Sequence, residues 1–130
     1  MTTKLFLIAT FVCVYVIITQ GNNELEYYTP DNLRIVNDTL IIEARLIDPH
    51  GEHHESSAYT SSKILSKGKV DFGPVGRFEA RIKLPQGQRG LWPAFWMLPT
   101  DNVYGNWPKS GEIDVMENIG KEGSNTVHGT

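Results

Sequence analysis

Residues 77–84, RFEARIKL, place Phe78, Ala80, Ile82 and Leu84 on one side of an extended chain and Arg77, Glu79, Arg81 and Lys83 on the other. Successive side chains of extended backbone point to opposite faces, so this strict period of two predicts a half-buried β-strand over 77–84. The loop PQGQRG (85–90) closes it, an apolar run LWPAFWML (91–98) follows, and 99–110 reads as a second loop. Upstream, LRIV (33–36) and TLIIEARL (39–46) flank Asn37-Asp38, whose short side chains tolerate the backbone of a tight turn, which predicts a hairpin. Short strands joined by turns, with no helix-period segment of useful length, predict an antiparallel all-β sandwich or barrel.

The chain has 130 residues, 40% apolar and 21% charged, as expected of one globular domain. Its formal charge is −3 and no stripe of Lys or Arg forms, which argues against nucleic acid and against acidic substrates. Residues 1–21 carry Lys4, an apolar run over 5–19, and small residues at Thr19 and Gly21, the grammar of a cleaved signal peptide. The apolar run is shorter than the ~20 residues that span a bilayer, so secretion is expected rather than anchoring. Cleavage after Gly21 would remove Cys13, the single cysteine, and with it any disulfide, thiol nucleophile or cysteine-based metal site.

Residues 48–57, DPHGEHHESS, carry His50, His53 and His54, but their Gly- and Pro-containing setting reads as a polar loop rather than a metal site. Asn37-Asp38-Thr39 is also an N-glycosylation sequon.

The segment GEIDVMEN (111–118) places three carboxylates, Glu112, Asp114 and Glu117, within six residues framed by Ile, Val and Met. On a helix they would scatter around the axis; on a strand Glu112 and Asp114 share a face, and Glu117 falls out of phase. One extra residue, a β-bulge near Val115 or Met116 with Met116 the better fit, returns Glu117 to the face of the other two. Four regular strand steps then separate the Glu112 and Glu117 Cα atoms by ~13 Å, a gap that two inward-leaning side chains can largely close. Carboxylates crowded in this way resist ionising together, which suits glycoside hydrolysis: one acid protonates the leaving oxygen and one carboxylate meets the positive charge developing at the anomeric carbon. A solvated strand face and a calcium-binding cluster are the alternatives. Trp92, Phe95, Trp96 and Trp107 precede the acids, and flat rings of this kind stack on pyranose faces or fill a core. Trp107, in the loop YGNWPKSG (104–111), is the strongest candidate for a sugar platform.

GEIDVMEN, preceded by GRFEARIKLPQGQRGLWPAFWML (76–98) and NNELEYYT (22–29), closely resembles glycoside hydrolase family 16, in particular its laminarinase-like β-1,3-glucanases. The resemblance covers roughly 22–130 and implies a concanavalin A-like β-jelly-roll, of which about the central half is present, so that 1–21 is a signal peptide and 22–130 a partial catalytic domain. It implies a retaining mechanism with Glu112 as nucleophile, Glu117 as general acid/base and Asp114 as the assisting carboxylate. Trp92, Trp96, Trp107, Arg77, Asn23 and His128 match positions that line the cleft in the family. A β-glucan polysaccharide is the implied substrate of a secreted monomer. No cofactor is implied, and no ligands for a structural calcium are identifiable. A β-glucan-binding protein without activity, and an inactive fragment of a glucanase, are the competing readings.

Overall fold

A computed structural model of the chain describes residues 24–47, 59–86, 89–123 and 125–130, together with two further strands, Thr3–Ile8 (β1) and Tyr15–Val16 (β2). The described residues are all-β and contain no α-helix, only two 3₁₀ turns. They fall into two compact units.

The first unit, Met1–Gly73 with Glu79–Lys83, is built around the hairpin of Leu33–Val36 (β4) and Thr39–Leu46 (β5). Asn37 and Asp38 both adopt positive φ, 48° and 59°, the left-handed pair that a two-residue hairpin turn needs to match strand twist. Strand β5 also pairs antiparallel with β1 and with Tyr59–Ser61 (β6). Outside these, β1 pairs antiparallel with Arg81–Lys83 (β8), and β6 runs parallel to Glu26–Tyr28 (β3). That parallel pair departs from the purely antiparallel expectation. The β4–β5 hairpin lies between β3 and β6 in sequence, so the chain re-enters the sheet in its original direction. Ile64–Leu65 (β7) pairs with β2.

The strand expected over 77–84 forms a ladder only at β8. Exposure nevertheless alternates without a break from Arg77 to Leu84, with Phe78, Ala80, Ile82 and Leu84 the more covered. The sequence pattern therefore sets which face is buried, whereas the ladder needs a partner, and β1 meets this segment no further than Ile8 opposite Arg81.

The centre of this unit is polar as well as apolar. Ile41 and Tyr28 are 6% and 8% exposed, and beside them Asn32 and Glu43 are 2% and 5% exposed. Arg34 stands opposite Ile41 in the ladder and so shares a face with Glu43 and Arg45. Its Nη1 lies 2.7 Å from Glu43 Oε2, and Arg45 Nη2 reaches the same oxygen at 2.9 Å. Asn32 Nδ2 donates to the Glu43 carbonyl at 2.6 Å and to Thr60 Oγ1 at 3.2 Å, linking the 3₁₀ turn Pro30–Asn32 to two strands.

The second unit, Pro74–Phe78 with Leu84–Thr130, is organised by Ala94–Met97 (β9) and Ile113–Glu117 (β10), which pair antiparallel. The expected bulge is present, but at Val115 rather than Met116. Asp114 faces Trp96 and Met116 faces Phe95, so Val115 is the additional residue. The run expected over 91–98 is laddered only at Ala94–Met97.

Candidate active site

The bulge fixes the faces of β10. Ladder partners share a face, so Asp114 lies with Trp96 and Glu117 with Ala94, all on one side of the sheet, while Ile113 and Met116 lie on the other with Met97 and Phe95. Glu112, one residue before the strand and two before Asp114, belongs by alternation to the acid face. The three carboxylates predicted from sequence are thus brought to one surface. The small Ala94 beside Glu117 leaves its carboxylate room on that flank.

The other flank of β10 is lined by the returning chain. Glu117 N–H donates to the His128 carbonyl at 2.9 Å and His128 N–H returns the bond at 2.8 Å, while Asp114 N–H donates to the Thr130 carbonyl at 2.9 Å. The four residues Asp114 to Glu117 therefore stand opposite the three residues His128 to Thr130, and the bulge persists on this side too. Glycine stands opposite it: a Cβ at Gly129 would meet the carbonyl oxygens of Asp114 and Val115 at 3.4 and 3.9 Å. His128 is on the acid face, cross-strand from Glu117, and its Nε2 is 2.7 Å from Glu122 Oε2.

Each candidate catalytic glutamate is held by a tryptophan. Trp107 Nε1–H donates to Glu112 Oε2 at 2.6 Å, and Trp92 Nε1–H donates to Glu117 Oε1 at 2.9 Å. Both rings remain open to solvent, 62% and 63% exposed, so their N–H groups are engaged while their faces stay available for stacking. The loop before β10 is shaped for this. Ser110 Oγ donates to the Gly105 carbonyl at 2.6 Å and accepts from Tyr104 N–H at 3.2 Å, and Gly111 N–H donates to the Pro108 carbonyl at 3.0 Å. Gly105 and Gly111 take φ of 110° and 86°, backbone that a residue with a Cβ rarely adopts.

A neutral N–H donor orients one carboxylate oxygen and leaves the second free, without the fixed charge that a guanidinium would impose. One oxygen of each glutamate is thus left without a hydrogen bond among the described residues, and glycoside hydrolysis is a reaction that divides attack and proton transfer between two such carboxylates.

Of the remaining predicted residues, Trp96 is half-buried on the acid face beside Asp114. Arg77 is exposed on Pro74–Phe78. Asn23 and the His50, His53 and His54 loop lie outside the described residues. Two residues of the site carried no signal of their own in the sequence. Glu122, which pairs with His128, is one acid in a polar turn. Asn118, wholly buried, is the last residue of GEIDVMEN, and the sequence shows it only as a polar residue ending an apolar-framed strand.

Residues 28–129 match the family model described as XgeA-like, catalytic GH16 domain. The chain is 47% identical over 115 residues to a beta-glucanase of Rhodothermus marinus, covering 85% of this chain and 37% of that protein. It is 42% identical over 116 residues to the glucan endo-1,3-beta-glucosidase A1 of Niallia circulans, covering 83% of this chain and 17% of that protein. A beta-1,3-glucan-binding protein of Penaeus monodon is 52% identical over 68 residues, 52% of this chain and 18% of that protein. The chain thus spans little more than a third of the first of these relatives and less of the others.

Proposed function

The chain belongs to glycoside hydrolase family 16 as an XgeA-like catalytic domain, and on that premise we propose that it cleaves internal linkages of a β-glucan by a retaining, two-carboxylate mechanism. The observation that carries this reading is the phasing of Glu112, Asp114 and Glu117 onto one face by the Val115 bulge, with an indole N–H on each glutamate. Glu112 attacks the anomeric carbon and forms a glycosyl ester while Glu117 protonates the departing glycosidic oxygen. Glu117 then takes a proton from the water that opens the ester, and Glu112 leaves as the carboxylate. Asp114, two residues from Glu112 on the same face, supplies the assisting carboxylate that orients it between these states.

The names of the relatives favour a β-glucan, and that of the Niallia circulans protein a β-1,3-linked one. Release of reducing ends from laminarin, lost in Glu112→Gln and in Glu117→Gln, is the expected result, with the first-formed product in the anomeric configuration of the substrate. Unchanged release in both variants would sink the reading. We further propose that residues 1–21 direct secretion; N-terminal sequencing of the exported protein should then begin at Asn22, and such cleavage would also remove β1 and β2.

A second reading, glucan recognition without hydrolysis, is favoured by the similarity to the Penaeus monodon protein. Retention of the chain on insoluble glucan with no release of reducing ends would select it.

A further inference from the structure

Asn118 follows the proposed acid/base directly, and the chemistry above gives it no task. Its side chain is 0% exposed. The carboxamide Nδ2 donates to two carbonyls, Gly123 at 2.9 Å and Thr126 at 2.7 Å, bridging the 3₁₀ turn Gly120–Glu122 and drawing the chain back along β10. Its own main-chain N–H donates to the Pro93 carbonyl at 3.0 Å, and Gly120 N–H donates to the Leu91 carbonyl at 2.8 Å. Trp92 sits between those two acceptors. The residue whose indole holds Glu117 is therefore pinned on both sides to the segment that Asn118 closes.

The same closure sets the opposite flank. By gripping Thr126, Asn118 fixes where the return segment begins, and two residues later His128 exchanges both main-chain hydrogen bonds with Glu117. Asn118 Oδ1 meanwhile has no hydrogen-bond partner among the described residues. A buried carboxamide with an unpaired oxygen is less stabilising than an apolar side chain would be, so general packing does not explain an asparagine at this point. The two carbonyls it satisfies do.

We propose that Asn118 is the positioning residue for Glu117, fixing the Trp92 indole on one side of the acid/base and the His128 backbone on the other. The proposal rests on the assignment of Glu117 above. Its functional weight comes from the steep geometric dependence of proton transfer, where a misplacement of about 1 Å can lower the rate roughly 10²-fold.

The chain contains three tryptophans, so ¹⁵N-tryptophan labelling of the full 130-residue protein yields three side-chain N–H resonances, assignable with Trp92→Phe and Trp107→Phe. Asn118→Asp keeps the size of the side chain and removes both N–H donors; Asn118→Leu is the second variant. The expected result is a shift of the Trp92 indole proton toward its unbonded position while the Trp107 resonance, whose partner is Glu112, stays in place. With laminarin, kcat should fall roughly 10²-fold while KM stays within about twofold. An unmoved Trp92 resonance in a folded variant overturns the proposal, as does an equal movement of Trp92 and Trp107, which would mean general loosening. Failure of both variants to fold overturns it as well, by making Asn118 a residue of the fold rather than of the site. The indole readout needs no turnover, so a wild-type chain without activity would defeat the proposed function and leave this question to be decided separately.

Discussion

Glu43 in the first unit and Glu112 and Glu117 in the second are all strand-borne or strand-adjacent carboxylates, and they are held in opposite ways. Glu43 is 5% exposed and shared by two guanidiniums, Arg45 and Arg34. The Arg45 hydrogen bonds hold its carboxyl below the usual carboxylate range, against the opposing effect of burial, and Arg34 adds to them. Glu112 and Glu117 receive indole N–H groups instead, on side chains that reach solvent. A guanidinium clamp fixes geometry and charge together. An indole donor orients a carboxylate without adding a formal charge beside it, which suits the nucleophile and acid/base roles proposed for these two glutamates.

The largest stability effect should come from removing the clamped carboxylate. Glu43→Ala leaves two like charges on one face of the β4–β5 hairpin, and a cost of about 3 kcal/mol is expected, the low end for a broken buried pair because both guanidiniums reach water. Thermal unfolding followed by circular dichroism should show Tm lower by roughly 10 °C. Trp107→Phe should act in reverse. It keeps a ring but deletes the N–H that holds Glu112; laminarin hydrolysis is expected to fall roughly 10- to 10²-fold, the worth of one hydrogen bond to a charged group, with Tm little changed because the side chain is exposed. Equal losses of stability in both variants would erase the contrast between the two regions.

Acid titration sharpens it further. The folded-state value of Glu43 lies below its unfolded value, so its contribution to stability is complete above about the ordinary 4.5 and is lost as pH falls through the lower folded value. Tm of the wild type should therefore decline more steeply below pH 4.5 than Tm of Glu43→Gln, in which no carboxyl titrates at that position. Parallel curves would show that Glu43 is not a source of the acid sensitivity.

The two regions also differ in how much of them was legible in the sequence. Strands β4 and β5 begin and end where the apolar runs and Asn37-Asp38 predict, because a hairpin is a local structure written in consecutive residues. The bulge was legible for a related reason: three acids can share a face of one strand only if the period of two is broken once between Asp114 and Glu117. Which residue breaks it was not legible, since Val115 and Met116 are both apolar and the choice depends on the partner strand, where Phe95 faces Met116. The indole bonds were less visible still. Trp92 lies 25 residues from Glu117, and nothing in local spacing tells a tryptophan that stacks on sugar from one that also donates to a carboxylate. Likewise the alternation over 77–84 announces a buried face but not where a neighbouring strand stops, so the ladder came out shorter than the pattern.

The smallest effect tests whether the hairpin can be tuned apart from the acids. Asp38 occupies the second turn position at φ 59°, where a side chain is tolerated but glycine carries no steric penalty. Asp38→Gly creates the favoured Asn-Gly pair for this turn, and a gain of about 0.5 kcal/mol is expected once the greater freedom glycine gives the unfolded chain is set against relief of left-handed strain. The gain should appear as a Tm higher by about 2–4 °C, with laminarin hydrolysis unchanged. A rise in Tm accompanied by a change in kcat would mean that the first unit constrains the catalytic strand. The division of labour between a locked carboxylate and two orientable ones would then describe one coupled structure rather than two independent solutions.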